Sequence, residues 1–317
     1  MRFIAREEIE PLPLLRESVA AIRDAYVAAI DGRAQLPPVG YLGFPNADCH
    51  VKFGHIAGDP IFVVKLSSGF YDNPARGLPS NNGIVIAASA HTGEIVAVLD
   101  DRGLLTQLRT AVGGAIATLA LARQDARVIG IVGSGIQARQ HLRALTAISD
   151  KPLEFHAWGR NLARVEEMAI DLSRENIVVA IAQDIRQLCA KADAIVTTTP
   201  ASSPVIFSDW IRPGTHITAI GADSPGKQEL ESALVARADR LVMDLAHQCL
   251  DHGEFSAAHR QGLIDPGRCV ELGAILSNRE LGRRSNVEIT IADLTGLAVQ
   301  DIAITRTVLD LLHNAEQ

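Results

Sequence analysis

A glycine-rich turn between a strand and a helix is the feature that most constrains the fold. The apolar run 127–132 predicts a strand, and residues 133–138 read GSGIQA. In this GxGxxA pattern Gly133 allows a tight turn, Gly135 lets the backbone approach a pyrophosphate, and Ala138 permits close helix–strand packing. The helix N-terminus that follows supplies oriented N–H donors. The turn therefore predicts a site for a nicotinamide or a flavin dinucleotide; a glycine-rich turn without a ligand is the alternative.

Strands and helices alternate after this turn, which indicates parallel βαβ units covered on both faces and an α/β fold. Strands are predicted at 127–132, 153–158, 177–182, 194–199, 216–220, 240–244 and 288–292, and helices at 136–148, 161–176 and 297–313.

The first part of the chain has a different pattern. Helices are predicted at 14–30 and 104–122, and strands at 61–66, 83–88 and 94–99, with a hairpin joining the last two and a long polar loop at 69–82. We expect a domain of residues 1–120, completed by 297–317, and a Rossmann domain of residues 121–296.

Composition excludes several classes of protein. The chain has 317 residues, of which 47% are hydrophobic and 21% charged, so global disorder is excluded. A net charge of −7 makes nucleic acid and anionic membranes poor partners. The four scattered cysteines, with no metal-ligand spacing, indicate reduced thiols and no metal site. Without a signal peptide or a long uninterrupted apolar run, a cytoplasmic protein is expected.

The end of the second βαβ strand bears on which cofactor binds. NAD-specific sites carry a carboxylate there for the ribose hydroxyl, whereas this chain reads WGRN at 158–161. The guanidinium of Arg160 suits a 2′-phosphate. We therefore expect NADP(H) rather than NAD(H), the alternative being an ordinary solvent-facing arginine.

Three charged residues stand out against apolar or strand-end surroundings. Lys65 interrupts the apolar run IFVVKL, and Arg109 lies in a helix of small residues, so both are candidates for holding an anion. Asp223 follows a strand at its carboxyl end, where open α/β sheets bind ligands. For Lys65 the alternative is a lysine on an edge strand that reaches water. For Arg109 it is an ion pair at an interface, and for Asp223 it is a residue of a plain turn. His55, His91 and His216 form no metal motif and are expected to be structural or exposed.

Six ordered motifs resemble the ornithine cyclodeaminase/mu-crystallin family over nearly the whole chain. They are Lys65 in its apolar strand, LRTA at 108–111, GSGIQA at 133–138, TTTP at 197–200, GADSPGKQEL at 221–230 and TGLAVQD at 295–301. The resemblance implies a Rossmann domain, a discontinuous α+β domain for substrate binding and dimerisation, and a homodimer. The stretch KLSSGFYDNPARGLPSNNG is most similar to the ectoine-utilisation branch.

The resemblance also implies roles for particular residues. Lys65 and Arg109 match the cations that bind the substrate carboxylate, and Asp223 matches the acid/base. Gly296 and Leu297 are expected near the nicotinamide and the substrate. Expected cofactor contacts are Ser80, Arg109, Thr110, Gly133, Ser134, Gly135, Ile136, Gln137, Arg160, Thr197, Thr198, Thr199, Ile220 and Lys227.

Two departures from the cyclodeaminase pattern favour the reductase side of the family. Lys52 stands where that branch has a glutamate for the distal amine of ornithine, and Gly159 replaces its ribose-binding carboxylate. A lysine would repel an ornithine ammonium. Lys52 either binds a second substrate carboxylate, which suits a dicarboxylic imine, or is a surface lysine in a polar loop.

The expected activity is NAD(P)H-dependent reduction of the C=N bond of a small α-imino acid, or the reverse oxidation of an amino acid. Lys65 and Arg109 would orient the carboxylate, and Asp223 would handle the proton on nitrogen. The alternatives are a cyclodeaminase that releases ammonia and a non-catalytic cofactor- or ligand-binding protein.

Overall fold

A computed structural model describes residues 1–317, and the chain divides into two compact units. The first unit consists of Met1–Thr110 and Leu297–Gln317, and the second of Ala111–Gly296. The boundary lies between residues 110 and 111, whereas the sequence analysis placed it between 120 and 121. Each unit has its own sheet, and the two are described separately below.

The first unit is a seven-stranded sheet with helices. Its strands are β1 (Arg2–Ala5), β2 (Ala34–Gln35), β3 (Gly40–Phe44), β4 (Ala47–Ile56), β5 (Ile61–Phe70), β6 (Asn81–Ser89) and β7 (Ile95–Asp100), and its helices are α1 (Arg6–Ile9), α2 (Leu14–Glu17), α3 (Val19–Ile30) and, from the end of the chain, α12 (Ala298–Ala315). The strand order is β1-β7-β6-β5-β4-β2, with β3 also paired to β4, and only β1 and β7 pair in parallel. The predicted hairpin of β6 and β7 is confirmed.

One face of this sheet packs against α12, which also packs against α3. Gly54 on β4 is required by the neighbouring strand β2, since a Cβ there would lie 2.7 Å from the carbonyl oxygen of Gln35; the same Cβ would make an ordinary contact, at 3.6 Å, with the Cβ of Ala298 on α12. The helix predicted at 14–30 is present as α2 and α3, which meet at Ser18, whose hydroxyl donates to the carbonyl oxygen of Leu14 (2.6 Å).

The alternative that Lys52 is a surface lysine in a polar loop is wrong. Residues 47–56 form the long strand β4, which pairs along its length with β5. Its sequence, ADCHVKFGHI, puts Asp48, His50 and Lys52 at alternate positions and so on one face of the sheet. A polar face on a buried strand does not show the apolar alternation that usually identifies a strand.

The second unit is an eight-stranded, wholly parallel sheet with helices and a separate pair of short strands. The main strands are β8 (Val128–Val132), β9 (Glu154–Trp158), β10 (Val179–Ile181), β11 (Ala194–Thr197), β13 (His216–Ala219), β15 (Arg240–Met243), β16 (Cys269–Glu271) and β17 (Thr290–Asp293), and the short pair is β12 (Ser202–Ile206) with β14 (Gln228–Leu230). The helices are α5 (Ile136–Ile148), α6 (Leu162–Ser173), α7 (Ile185–Lys191), α8 (Ser232–Arg237), α9 (Ala246–Asp251), α10 (Ser256–Arg260) and α11 (Leu272–Ser277).

The strand order of the main sheet is β10-β9-β8-β11-β13-β17-β15-β16. The chain runs outwards from β8 in one direction and then restarts at β11 on its other side. The crevice at the carboxyl ends of β8 and β11 is therefore a topological switch point, where doubly wound α/β folds bind their ligands. The fold is α/β, as predicted, with a Rossmann-type sheet in the second unit.

Helix α4 (Leu104–Leu121) spans the boundary between the units. By length and composition it is apolar enough to cross a membrane, but most of it is buried within the protein, as is usual for a core helix. The four cysteines are all free thiols, and burial raises the pKa of Cys189 to about 12. His216 is buried between the hydroxyls of Thr290 and Thr218, both at 2.8 Å, which confirms its predicted structural role.

Candidate active site

In the first unit a buried carboxylate joins the two predicted anion-binding cations. Lys65 on β5 places its Nζ 2.9 Å from both carboxylate oxygens of Asp301 on α12. Arg109 on α4 donates from Nε to Oδ1 of the same carboxylate at 3.0 Å. All three side chains are at most 6% exposed. Two cations that share one anion leave this trio with a net positive charge, which an incoming carboxylate would balance.

Gln300, beside Asp301, orients Arg109. Its Oε1 accepts from Nη1 of Arg109 (3.3 Å) and from the backbone N–H of Leu297 (2.8 Å). Its Nε2 donates to the hydroxyl of Tyr26 (2.9 Å) and to the carbonyl oxygen of Arg109 (3.3 Å). Both residues belong to the TGLAVQD motif, but no role was predicted for Gln300 or Asp301. The sequence signal that could have identified Asp301 was an acidic residue in the first turn of an apolar helix.

Burial, the charge of Arg109 and that of Lys52 lower the pKa of Lys65 to about 7, although Asp301 opposes the shift. For Asp301, burial acts to raise the pKa, but the charges of Lys65 and Arg109 outweigh it and the pKa is lowered. The carboxylate is therefore ionised at neutral pH, while the ammonium titrates in the neutral range.

Lys52 lies directly opposite Lys65 in the antiparallel register of β4 and β5, and only 8% of it is exposed. Cross-strand neighbours on one face have Cβ atoms about 5 Å apart. Next along the strand, the ring of His50 lies 3.7 Å from the carboxylate of Asp48, which also accepts a hydrogen bond from the hydroxyl of Tyr71 (2.7 Å). The structure thus brings Lys52 to the predicted carboxylate-binding pair and continues the polar face along β4.

In the second unit the glycine turn has the geometry that a dinucleotide requires. Gly133 has a φ of +127°, and a Cβ there would lie 2.4 Å from Oγ1 of Thr198. Gly135 precedes α5 with no side-chain cap on the helix, and a Cβ at Gly135 would meet nothing within 4 Å. The N-terminal N–H groups of α5 thus have no side-chain cap, and Ala138 is fully buried. These features fit a pyrophosphate at the switch point.

The predicted ribose end of this site lies at the end of β9. A Cβ on Gly159 would lie 3.0 Å from Val165 and 3.4 Å from Oγ of Ser134, so the position adjoins the glycine turn. Asn161 caps α6 by accepting from the N–H of Arg164 at 3.3 Å. Arg160, between them, is exposed and forms no ion pair within the protein. Its guanidinium is available to a ligand anion.

Asp223 lies in the loop after β13, and its side chain is 42% exposed. Lys227, four residues on, donates from Nζ to its Oδ1 at 2.7 Å. The two residues, predicted separately as acid/base and cofactor contact, thus form a local ion pair at the carboxyl edge of the sheet.

Gly296 ends the second unit with a φ of +81° and donates its N–H to Oδ2 of the buried Asp244 (2.6 Å).

The other residues predicted to contact substrate or cofactor are divided between the units. Those in the first unit are Ser80, Thr110 and Leu297, and those in the second are Ile136, Gln137, Thr197, Thr199 and Ile220. The hydroxyl of Ser80 donates to Asn81 (3.0 Å), and the buried Oε1 of Gln137 has no hydrogen-bond partner in the protein.

These features define a class: a Rossmann-type dinucleotide-binding protein whose other unit contains a buried cluster of two cations and one carboxylate. The particular family follows from comparison with known proteins. The model of the ornithine cyclodeaminase/mu-crystallin family matches residues 2–316, and the chain belongs to this family.

Individual relatives cover almost the whole chain. An uncharacterised cyclodeaminase of Sinorhizobium fredii is 39% identical over 96% of this chain and 93% of its own. The iminosuccinate reductase of Paracoccus denitrificans is 31% identical over 98% of this chain and 96% of its own.

Two solved structures share the fold with a TM-score of 0.92. One is an archaeal alanine dehydrogenase dimer with bound NAD, 32% identical, covering 100% of this chain and 97% of that one. The other is the Δ1-pyrroline-2-carboxylate reductase of Thermococcus litoralis with NADH and L-proline, 27% identical, covering 99% of this chain and 98% of that one.

Proposed function

We propose that this protein is an NAD(P)H-dependent reductase of the C=N bond of a small α-imino acid, able to catalyse the reverse oxidation of the amino acid. The observation that carries the proposal is the buried pair Lys65 and Arg109, which share the single carboxylate of Asp301. Relatives that reduce iminosuccinate or Δ1-pyrroline-2-carboxylate support it.

In this proposal Lys65 and Arg109 bind the substrate α-carboxylate. Asp301 keeps the two cations oriented before substrate arrives, and Gln300 restrains the Arg109 side chain. Such preorganisation lowers the entropy cost of orienting the α-carbon for reaction. Lys52, on the same face of the sheet as Lys65, is the residue we assign to a second carboxylate of a dicarboxylic imine.

The cofactor is a nicotinamide dinucleotide, which when bound supplies the hydride or accepts it. Gly133, Gly135 and the N-terminus of α5 would hold the pyrophosphate, with Thr198 beside the turn. We propose a preference for NADP(H), because Arg160 is exposed without an internal ion pair where NAD-specific sites have a carboxylate. The two solved relatives described above contain NAD or NADH, so the comparison of cofactors is a direct test.

Asp223 is proposed as the group that exchanges a proton with the substrate nitrogen. Its carboxylate is partly exposed and accepts a hydrogen bond from Lys227. The lysine restrains the orientation of the carboxylate, which is placed to exchange the proton.

Cyclodeamination of ornithine is the competing reaction. A distal ammonium group would approach Lys52, which is nine-tenths buried beside Lys65. Because the ammonium groups of ornithine and Lys52 would repel each other, we expect negligible conversion of ornithine to proline. Proline and ammonia formed at about 1 per second or faster, a typical enzymatic rate, would overturn this assignment.

The decisive experiment follows absorbance at 340 nm with NADPH and NADH in turn. The substrates are 2-oxo acids with ammonia or methylamine, and the controls are the corresponding aldehydes, which lack the carboxylate. We expect NAD(P)H consumption only with the acids, and a large loss in the Arg109→Gln variant. With ornithine as the only substrate and no added amine, ammonia release without net NAD(P)H consumption would indicate a cyclodeaminase. Cofactor binding without turnover of any substrate would indicate a non-catalytic protein.

We propose that the protein is a homodimer and that it is located in the cytoplasm. Across five strands of the first sheet, the register aligns Phe53, Val64, Ile86, Val98 and Phe3 on the face opposite Lys65. Phe53 is 40% and Phe3 61% exposed. A contiguous apolar face of this kind marks an interaction surface, and a second copy of the chain is the proposed occupant, as supported by the dimeric archaeal relative.

A further inference from the structure

Glu229, on the short strand β14, makes an unusually large number of hydrogen bonds for one side chain. It is fully buried, and its carboxylate accepts four. Oε2 accepts from Oγ1 of Thr197 (2.6 Å) and the N–H of Gly221 (2.8 Å). Oε1 accepts from the N–H (2.6 Å) and the hydroxyl (2.8 Å) of Thr199.

These donors come from two different loops at the same edge of the sheet. Thr197 and Thr199 lie at the end of β11, and Gly221 follows β13, the neighbouring strand. The loops also touch directly, since a Cβ on Gly221 would lie 2.0 Å from the carbonyl oxygen of Thr199 and 2.6 Å from Cδ of Glu229. One carboxylate therefore ties two strand ends together across a contact that only glycine permits.

Glu229 is itself held in place. The buried carboxylate of Glu254 accepts from the backbone N–H groups of Glu229 (2.9 Å) and Leu230 (2.7 Å). Burial raises the pKa of Glu229, while its hydrogen bonds with Thr197, Thr199 and Gly221 oppose the rise by stabilising the ionised form. The acceptor is thus fixed in place before any ligand binds.

We infer that Glu229 is a positioning residue that sets the spacing of the Thr198 loop and the Asp223 loop. This inference rests on the proposed function, which gives Thr198 its contact with the cofactor and Asp223 its exchange of a proton. Thr198 lies between the two tethered threonines, and Asp223 follows the tethered Gly221 by two residues. Movement of either loop would displace a group that acts on the same reaction.

The Glu229→Gln variant tests the inference because it keeps the shape and changes the acceptors. Each carboxylate oxygen accepts from one backbone N–H, which cannot turn away, and from one hydroxyl, which can. Whichever way the amide is turned, its NH2 group faces a backbone N–H of Thr199 or Gly221. One buried donor is then left unsatisfied, so one loop must move.

The matched control is Glu231→Gln, two residues along the chain. The carboxylate of Glu231 accepts one backbone hydrogen bond, from Ser208 at 2.8 Å, and none from the two loops that Glu229 joins. We expect Glu229→Gln to weaken NAD(P)H binding, followed by the fluorescence of the bound cofactor, roughly 10- to 100-fold and to lower kcat by a similar factor. The KM for the imino acid should change less than about threefold, because Lys65 and Arg109 lie in the other unit. Glu231→Gln should leave all three quantities within about twofold of wild type.

A purely structural role would lower the melting temperature of Glu229→Gln and leave cofactor affinity and kcat per folded molecule unchanged, and that result would overturn the inference. If Glu229→Gln does not fold, the Thr197→Val variant is used in its place. It removes one hydroxyl donor to Glu229 and keeps both backbone hydrogen bonds, and it should lower kcat roughly 3- to 10-fold. An unchanged kcat would equally overturn the inference. The fluorescence titration needs no substrate. A wild-type protein that binds NAD(P)H but reduces no imine would refute the proposed function, while the affinity comparison would still decide the role of Glu229.

Discussion

The binding of a simple carboxylate should depend on pH through Lys65. Burial, Arg109 and Lys52 lower the pKa of this ammonium to about 7, so it is charged below pH 7 and neutral above it. A carboxylate binds the charged form more tightly. Affinity should therefore be constant in acid, where Lys65 is already protonated, and should fall as pH rises through neutrality.

The size of the effect follows from the same geometry. Above the pKa the charged fraction falls tenfold for each pH unit, and so does affinity, until binding to the neutral amine takes over. A hydrogen bond to a charged group contributes about 1.5–3 kcal/mol, which limits the total loss to roughly 10- to 100-fold. The guanidinium of Arg109 keeps the remaining affinity.

Isothermal calorimetry of pyruvate binding in ammonia-free buffer, from pH 6 to pH 9, measures this dependence, because pyruvate itself does not titrate there. The control is Lys65→Arg, which keeps a positive charge throughout and should flatten the curve. If wild-type affinity is constant from pH 6 to pH 9, Lys65 does not titrate near neutrality and the assignment of its charge is wrong.

The other predictions concern the acid/base, the cofactor, the cation pair and the dimer. Asp223→Asn should lower kcat by about two to four orders of magnitude with cofactor binding intact; a variant that keeps more than about a tenth of wild-type turnover would remove Asp223 from the mechanism. Arg160→Ala should weaken NADPH but not NADH in fluorescence titrations, and equal losses would contradict the proposed preference. Asp301→Asn leaves two buried cations without their anion and should reduce the free energy of unfolding by about 3–5 kcal/mol in urea titrations; an unchanged midpoint would show that the carboxylate does not stabilise the pair. Phe53→Lys should give a monomer in analytical ultracentrifugation, whereas the exposed Val178→Lys in the second unit should not; a dimeric Phe53→Lys variant would place the interface elsewhere.

Local sequence was sufficient for seven of the eight main strands of the second unit, but not for its short helices α7 to α11. The glycine turn, its strand β8 and its helix α5 were predicted close to their observed bounds, because strand, turn and helix are each encoded within about twenty consecutive residues. The charged Lys65 and Arg109 were also identifiable locally, since a cation in an apolar run must have a partner or reach water.

The partners of these groups were decided only by the tertiary structure. Asp301 is 236 residues from Lys65 and 192 from Arg109 along the chain, and neither spacing has a periodic signature. The strand β4 was missed because its buried face carries Asp48, His50 and Lys52, and burial of polar groups depends on partners brought by folding. Glu229 belongs to the GADSPGKQEL motif and had no predicted role, yet the ends of two neighbouring strands converge on its carboxylate. Sequence patterns report which side chains need a partner, and only the packed chain determines which partner each one finds.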